Sequence, residues 1–318
     1  MERLTRERWG ALASAHETRV DEATRGHRER RRLRPGDRAH PVEDFLFTYY
    51  SHRPAQLRRW HPGPGIALEG GSERTGWKHY TYDGHVATLD LPGFLAARGD
   101  AVRFIRRLLA ATADRAPRLG CFGLHEWAMV HRLDPDQLRH SGWPLRLSPQ
   151  ETDAVVEEHQ ISCSHFDAYR FFTPTARPLN AVLPERHTQV AMEQPGCLHA
   201  NMDLYKWAYK LSPAVPSELV MDCFDLAREV RELDMRAAPY DLHKLGYEPV
   251  RIETTRGKAE YVAAQRGFAD RAQALRRRLI AACDTLLPVK SSRGLVPWPQ
   301  GVTATPGVER CADECSSG

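Results

Sequence analysis

Two short stretches of the chain combine histidine, aspartate, cysteine and aromatic residues in a mixture that a plain structural core has little reason to collect. The first, ISCSHFDAYRFFTPTARPLN, contains His165–Asp167, and the second, EQPGCLHANMDLYKWAYKL, contains His199–Asp203. An earlier stretch, FGLHEWAMVHR, places His125 next to Glu126. Imidazole and carboxylate groups can bind a metal ion or move protons in catalysis. We therefore interpret the three stretches as walls of one candidate active site.

A metal site is the first chemistry that these residues allow. The histidine and carboxylate pairs are His125/Glu126, His165/Asp167 and His199/Asp203. If their helices converge, three imidazoles and three carboxylates share a cavity, as in metal sites inside helical bundles. The ligand candidates are His125, His165 and His199, and the metal would be iron, zinc or haem in an enzyme acting on a small metabolite. None of the spacings is an ExxH, HExxH or HxH motif, so buried, hydrogen-bonded structural histidines are the alternative.

Excision of a damaged base is a second chemistry, and it needs no cofactor. An enzyme that cleaves an N-glycosidic bond stacks the extruded base between rings and uses a carboxylate to steady positive charge or to activate water. The catalytic candidates are Asp203, Asp167, Glu126, His165 and His199. The candidates for the stacking pocket are Trp127, Tyr169, Tyr205 and Trp207, although rings on helices usually belong to the core.

Such an enzyme also needs a basic surface for double-stranded DNA. The segment HRERRRLR, from His27 to Arg34, is strongly basic, and we expect Arg58 and Arg59 to add to it if the chain folds back. The candidate DNA-binding residues are Arg30, Arg31, Arg32, Arg58 and Arg59. A solvated helix face would explain the same pattern, and the net charge of +4 is too small to indicate a nucleic-acid binder by itself.

Length and composition indicate a globular protein. The chain has 318 residues, of which 42% are hydrophobic and 27% charged. It contains no long apolar run, and its first ten residues, MERLTRERWG, are too polar for a signal peptide, so we expect a cytoplasmic protein without a membrane partner. The seven scattered cysteines contain no CxxC pair, which favours reduced thiols over disulfides or a zinc ribbon.

Helices must position most of the candidate residues. Hydrophobic periodicity and capping signals predict helices over 2–33, from Pro41 through an aromatic-rich segment, and over 90–116, 120–132, 149–159, around Val190, 199–211, 217–237 and 254–287. One hairpin is predicted in WKHYTYDGHVATLDL, with Asp83 and Gly84 at its turn and Ile66–Leu68 beside it. The sequence thus predicts a mainly α protein: a single large helical domain with one small β-hairpin or short sheet.

The predicted organisation has three parts. Residues 1–39 form an N-terminal polar, basic helix, residues 40–287 form the main helical domain, and residues 288–318 form a disordered tail rich in Gly, Pro, Ser and Thr.

Five strings carry a resemblance to a known family. They are HPVEDFLFTYYSHRPAQLRRWHPG, FGLHEWAMVHR, HFDAYRFFTPTARPLN, EQPGCLHANMDLYKWAYKL and LDMRAAPYDL, spread from about His40 to Leu287. The chain resembles a helical family from high-GC bacteria commonly named 3-methyladenine DNA glycosylase. The resemblance implies a cofactor-free hydrolase that repairs alkylated purines in DNA.

The chain departs from other glycosylases of that specificity. It lacks a glycine-rich hairpin followed by a catalytic aspartate, a metal-binding cysteine cluster and HEAT-like repeats. The catalytic candidates therefore follow from their chemistry and not from a motif. A metal- or haem-dependent metabolite enzyme and a binding protein without catalysis remain the alternative hypotheses.

Overall fold

Four helices pack together at the centre of the fold. They are α5 (Leu91–Ala113), α10 (Leu198–Leu211), α11 (Ser217–Arg236) and α12 (Thr255–Leu286). Helix α12 contacts the other three, and α10 packs along α11. Helix α10 is buried on nearly all sides, as expected for a helix enclosed by others. The protein is mainly α with one small sheet, as the sequence predicts.

The structure is a computed structural model that describes residues 1–33, 40–134 and 142–287. They belong to one compact unit, Met1–Leu287, and the predicted tail over 288–318 lies outside the described residues. Four further helices precede α5 in the described part of the chain: α1 (Arg6–Ala23), α2 (Arg25–Arg30), α3 (Phe45–Tyr49) and α4 (Pro54–Leu57). Four short helices lie between α5 and α10: α6 (Leu124–Ala128), α7 (Pro149–Glu157), α8 (Phe166–Tyr169) and α9 (Gln189–Met192). None of the described helices is long and apolar enough to span a membrane.

The sheet has four strands: β1 (Glu2–Leu4), β2 (Ile66–Glu69), β3 (Tyr80–Tyr82) and β4 (Val86–Leu89). Their spatial order is β1, β2, β4, β3, with β1 parallel to β2 and the other pairs antiparallel. The Asp83 carboxylate accepts hydrogen bonds from two amides of the β3–β4 turn, both at 2.8 Å, and Gly84 has φ +97°. The predicted hairpin and its neighbouring strand are therefore confirmed.

Three predicted helices differ in their bounds. The helix predicted from residue 2 begins only at Arg6, where the Thr5 hydroxyl caps it, because Glu2–Leu4 pairs with β2 instead. It breaks at Thr24 into α1 and α2. The helix predicted over 120–132 is limited to α6, and left-handed backbone at Gly123 and Arg132 flanks it.

The third difference concerns the helix predicted from Pro41, which begins only at Phe45 and ends at Tyr49, as α3. The stretch after His165 forms only the single turn α8, and His165 precedes that turn as its N-cap.

Candidate functional site

The three histidines predicted to share a cavity meet in the core. His199 lies in the first turn of α10, His125 on α6 and His165 at the start of α8. The His125 and His199 rings meet edge to face with their centroids 4.4 Å apart, and the His165 and His199 rings are stacked at 5.3 Å. The side chains are only 4%, 1% and 6% exposed for His125, His165 and His199, so the cluster is shielded from bulk water.

One group of possible ligands consists of His125, His199 and Asp234. Each contributes one nitrogen or oxygen atom, and these atoms lie within 4.8 Å of one another. The Nε2 atom of His125 is 2.8 Å from the Asp234 Oδ1 atom, a hydrogen bond that fixes the imidazole. Asp234 comes from α11, so this group joins three helices.

A second group consists of His165, Glu193 and Asp203, with its ligand atoms also within 4.8 Å of one another. The Nε2 atom of His165 is 3.4 Å from the Asp203 Oδ2 atom and 3.5 Å from the Glu193 Oε1 atom. Among the described residues, neither ring nitrogen of His165 finds a hydrogen-bond partner, although the side chain is buried. Buried polar atoms are normally paired, so this imidazole is unusual.

Two cations hold the carboxylates in place. The Arg231 NH1 group donates to the Glu126 Oε1 atom at 2.8 Å and to the Asp234 Oδ2 atom at 2.7 Å. The guanidinium carbon of Arg231 lies 3.7 Å from the centroid of the Phe45 ring, which shields this ion pair.

Lys206 performs the same task for the second group. Its Nζ atom is 2.9 Å from the Asp203 Oδ2 atom and 3.0 Å from the Asp167 Oδ2 atom. The Tyr50 hydroxyl donates to the other oxygen of Asp203 at 2.7 Å. Both oxygens of this buried carboxylate are therefore engaged.

The cluster carries more negative than positive charge. Four carboxyl groups are buried in it, those of Glu126, Glu193, Asp203 and Asp234, against the two cations that contact them directly, Arg231 and Lys206. With neutral imidazoles and ionised carboxyl groups, these residues carry two more negative than positive charges, and Glu193 is the one of the four without a contacting Arg or Lys in the described part of the chain. Such an excess inside a protein is costly and favours a bound cation or protonated histidine.

The electrostatics follow from this imbalance. Burial lowers the pKa of His125 and His165, but Asp234 and Asp203 outweigh it, so the net shift of each is upward. Burial and the neighbouring His125 depress the pKa of His199 well below its usual value. Burial raises the pKa of Glu193. His125 and His165 thus bind a proton more readily than a free imidazole does, and His199 binds one less readily.

The predicted convergence is confirmed, but the predicted pairing within it is wrong. His125 bonds to Asp234 on another helix, because the neighbouring Glu126 is engaged by Arg231. The carboxylates beside His165 are Asp203 and Glu193. Asp167 instead meets Lys206 and the exposed Arg186. Adjacent residues on a helix point in different directions, which explains why His125 and Glu126 contact different partners.

Five residues of the cluster were not predicted from the sequence: Tyr50, Glu193, Lys206, Arg231 and Asp234. Asp234 carried a usable signal, because it lies four residues after Val230 on the packing seam of α11. A carboxylate on that buried stripe needs a partner, and Arg231 is three residues away on the same face. Glu193 follows α9 in irregular backbone and had no such signal.

The predicted stacking rings are mostly core residues. Trp127 and Tyr205 are fully buried and Trp207 is 5% exposed, while Tyr169 is half-buried and packs on Phe172. The Trp127 indole donates to the Ala237 carbonyl at 2.8 Å, which ties α6 to the end of α11. A flipped base would have to displace packed side chains to reach three of the four rings.

The predicted basic surface is only partly assembled. Arg31, Arg32 and Arg58 line one groove of about 490 Å³, as expected if the chain folds back. Arg30 instead pairs with Asp44 at 2.7 Å, and Arg59 lines a different cavity. Arg58 also forms ion pairs with Glu17 and Asp21, which reduce the positive charge of the groove.

A surface cavity of about 440 Å³ adjoins the second ligand group. Its wall contains Ser164, which precedes His165, and Met192 and Gln194, which flank Glu193. Arg115 braces this wall by donating to the carbonyl oxygens of Glu193 and Val190 at 2.7 and 2.8 Å. The lining thus includes the immediate sequence neighbours of His165 and Glu193.

The cysteines of the described residues carry free thiols. Cys121, Cys163, Cys197, Cys223 and Cys283 are all free among the described residues, as the sequence predicts. Burial raises the pKa of Cys163 to about 12, so this thiol stays protonated and behaves as a packing residue.

Comparisons with known proteins found no match, whether to a protein-family model, to a curated protein or to a solved structure. The geometry of the described residues therefore carries the functional argument.

Proposed function

We propose that the protein is a metal-dependent enzyme acting on a small molecule. One observation carries the proposal: two groups of three buried ligand atoms, each group within 4.8 Å, meet at stacked imidazoles in the core. The first group is His125, His199 and Asp234, and the second is His165, Glu193 and Asp203. Burying charged groups is costly in free energy unless they are paired or coordinate an ion.

The spacing of the second group supports a metal. Two nitrogen or oxygen ligands bound about 2.1 Å from an ion lie roughly 3.0 to 3.4 Å from each other in octahedral or tetrahedral geometry. His165 Nε2 lies 3.4 and 3.5 Å from its two carboxylate oxygens, too far for good hydrogen bonds but close to this separation. An ion between them would also satisfy the unpartnered imidazole nitrogen.

The donor types favour iron or manganese. Two histidines with one carboxylate form a common set of iron ligands, and one histidine with two carboxylates suits the carboxylate-bridged ions found in helical bundles. Zinc would fit the same atoms with a lower coordination number. Haem fits poorly, because the His125 and His199 rings touch each other and leave no space for a porphyrin between them.

The protein's own residues have separable roles in this proposal. Arg231 and Lys206 hold the carboxylates and limit their charge. Tyr50 orients Asp203 through its hydroxyl, and the aromatic core excludes water. A bound ion would supply Lewis-acid or redox chemistry. Substrate would approach through the cavity walled by Ser164, Met192 and Gln194.

Elemental analysis with an absorption spectrum of the protein as isolated tests the proposal. We expect stoichiometric iron, manganese or zinc in the native chain, and its loss in Asp234→Asn and His165→Ala. His187→Ala is the matched control, since that imidazole is 77% exposed and belongs to neither group. A native protein that neither contains metal nor binds it on reconstitution would refute the proposal.

DNA repair is a second proposal, and it has one supporting observation of its own. The groove of Arg31, Arg32 and Arg58 could contact phosphates of double-stranded DNA. Against it, Asp203 is 1% exposed and both its oxygens are engaged, so a base would need an opening of the core to reach it. If this proposal is correct, the native protein releases 3-methyladenine from alkylated DNA and Asp203→Asn does not. No release by the native protein would eliminate it.

A further inference from the structure

A second cavity, separate from the ligand cluster, has a strongly positive lining. It measures about 440 Å³ and lies between the segments around His52, Arg59 and Trp77 and the ends of α5 and α10. The cations in its wall are Arg59, Lys78, Arg98 and Lys210. No carboxylate belongs to its described lining.

None of these four cations forms an ion pair within 4.0 Å in the described part of the chain. Many other arginines do, such as Arg58 with Glu17 and Arg271 with Glu229. The buried Arg74 contacts Trp77, a lining residue, with its guanidinium carbon 3.9 Å from the ring centroid. Cations concentrated around a concave site create an attractive field for an anion.

The lining is also held in position. The Arg98 NH2 group donates to the Lys210 carbonyl at 3.0 Å, which connects α5 to the end of α10. His79 adopts a left-handed backbone with φ +66°, a conformation that a residue with a side chain adopts only when its surroundings enforce it. Because its side chain is already held by its hydrogen bond to Lys210, Arg98 loses little conformational entropy when it binds a ligand.

Two rings complete the cavity. Trp77 lies beside Arg59, whose guanidinium carbon is 5.4 Å from the ring centroid, and Tyr209 stacks on His52 at 4.7 Å. Rings of this kind accept a planar group by stacking. The volume falls within the range of small-molecule sites, which is roughly 300 to 1,000 Å³.

We propose that this cavity binds a small anion that combines a phosphate group with a planar ring, as a nucleoside monophosphate does. Arginine and lysine supply the charge and hydrogen-bond donors that phosphate requires, and Trp77 or Tyr209 receives the ring. The proposal goes beyond the metal-dependent function and does not depend on it. The two sites share helix α10, which carries Asp203 of the cluster and Tyr209 of the cavity. They are also connected by contacts of Tyr50, whose ring centroid is 6.2 Å from that of Tyr209 and whose hydroxyl donates to Asp203.

Calorimetric titration of the full chain tests the proposal with three probes: adenosine monophosphate, inorganic phosphate and adenosine. We expect the monophosphate to bind more tightly than either part, and its affinity to fall as salt concentration rises. Binding of inorganic phosphate alone would leave the ring contacts without a role and would overturn the ligand class. Absence of binding by the monophosphate would overturn the site.

Charge variants locate the binding. Lys78→Gln combined with Lys210→Gln should weaken the affinity for the monophosphate at least tenfold, because two positive charges leave the lining. Both side chains are exposed, so their replacement leaves the core intact. Lys244→Gln, an exposed lysine outside the cavity, is the control and should leave the affinity unchanged. Equal affinity in the double variant and the control would contradict the proposal. Metal content measured on the same samples should not change, which separates this result from that of the ligand cluster.

Discussion

At the scale of single residues, the cluster depends on a few charged side chains that have no access to water. Arg231 is 1% exposed and contacts two carboxylates as well as the Phe45 ring. Replacing one partner of a buried ion pair leaves the other charged and unsolvated, which costs far more than the pair itself contributes. The role of Arg231 is therefore visible in stability even before any activity is known.

Arg231→Met should lower the free energy of unfolding by about 3 to 5 kcal/mol, because Glu126 and Asp234 would remain buried without their cation. Urea denaturation at neutral pH measures the change. Arg271→Met is the matched control: its ion pair with Glu229 is half exposed, at 52% and 50%, and should contribute about 0 to 1 kcal/mol. Similar losses in the two variants would show that the buried pair is not essential.

At the scale of elements, the start of α10 decides where His199 and Glu193 lie. The loop before it is pinned by the Gln194 side chain, whose Oε1 atom accepts from the Gly196 amide at 2.7 Å and from the Arg118 amide at 2.8 Å. Gly196 has no space for a side chain, because a β-carbon would overlap the carbonyl oxygen of Arg118. Close backbone approach, and not a special turn, therefore requires glycine here.

Gly196→Ala should destabilise the protein by about 1 to 3 kcal/mol, since the loop must shift to relieve the overlap. Under the proposed function it should also reduce metal content, because the shift moves the residues that flank the loop. Gly267→Ala is the control, since nothing lies within 4 Å of a β-carbon there and the residue is inside α12. That change should stabilise the protein by up to about 1 kcal/mol. Thermal melting and elemental analysis of both variants decide the matter, and an unaffected Gly196→Ala would refute the argument.

The bounds of the helices and strands show how much of the structure could be predicted from the sequence. Helices with clear signals were predicted closely: the capping box of Ser148 and Glu151 forms as expected, and α11 and α12 end within about one residue of their predicted bounds. The strand Glu2–Leu4 was missed, because its pairing with β2 depends on a segment more than sixty residues away. For the same reason, the sequence could identify the three histidines but not the contact of Glu193 with His165 or that of Arg231 with Glu126, since these partners come from other segments.

At the scale of the whole molecule, buried histidines couple stability to pH. Burial lowers the pKa of His52 to about 4. Burial, with Arg74 nearby, lowers the pKa of His61 to about 3. Their imidazoles stay neutral in the folded state while those of the unfolded chain accept protons near pH 6.5. Stability is therefore lost as pH falls from about 6.5 toward 4. His125 and His165 act in the opposite sense, because their pKa values are raised.

The free energy of unfolding should thus decrease on acidification below pH 6.5, by up to about 1.4 kcal/mol per pH unit for each depressed histidine. Urea titrations between pH 7 and pH 4.5 measure the slope. His52→Phe keeps the stack on Tyr209 but removes the titrating group, so its slope should be shallower than that of the native chain. An identical slope in the two proteins would show that His52 does not titrate as described.

The burial of Trp127 and Trp207 has an optical consequence. Each indole sits next in sequence to a charged residue of the cluster, Glu126 and Lys206, and the Lys206 ammonium lies 4.7 Å from the Trp207 ring centroid. Both rings are shielded from water, so their fluorescence should be blue-shifted and should respond to a change of charge at the cluster. Intrinsic tryptophan fluorescence should therefore report the binding of an ion at the cluster in real time, without an added label.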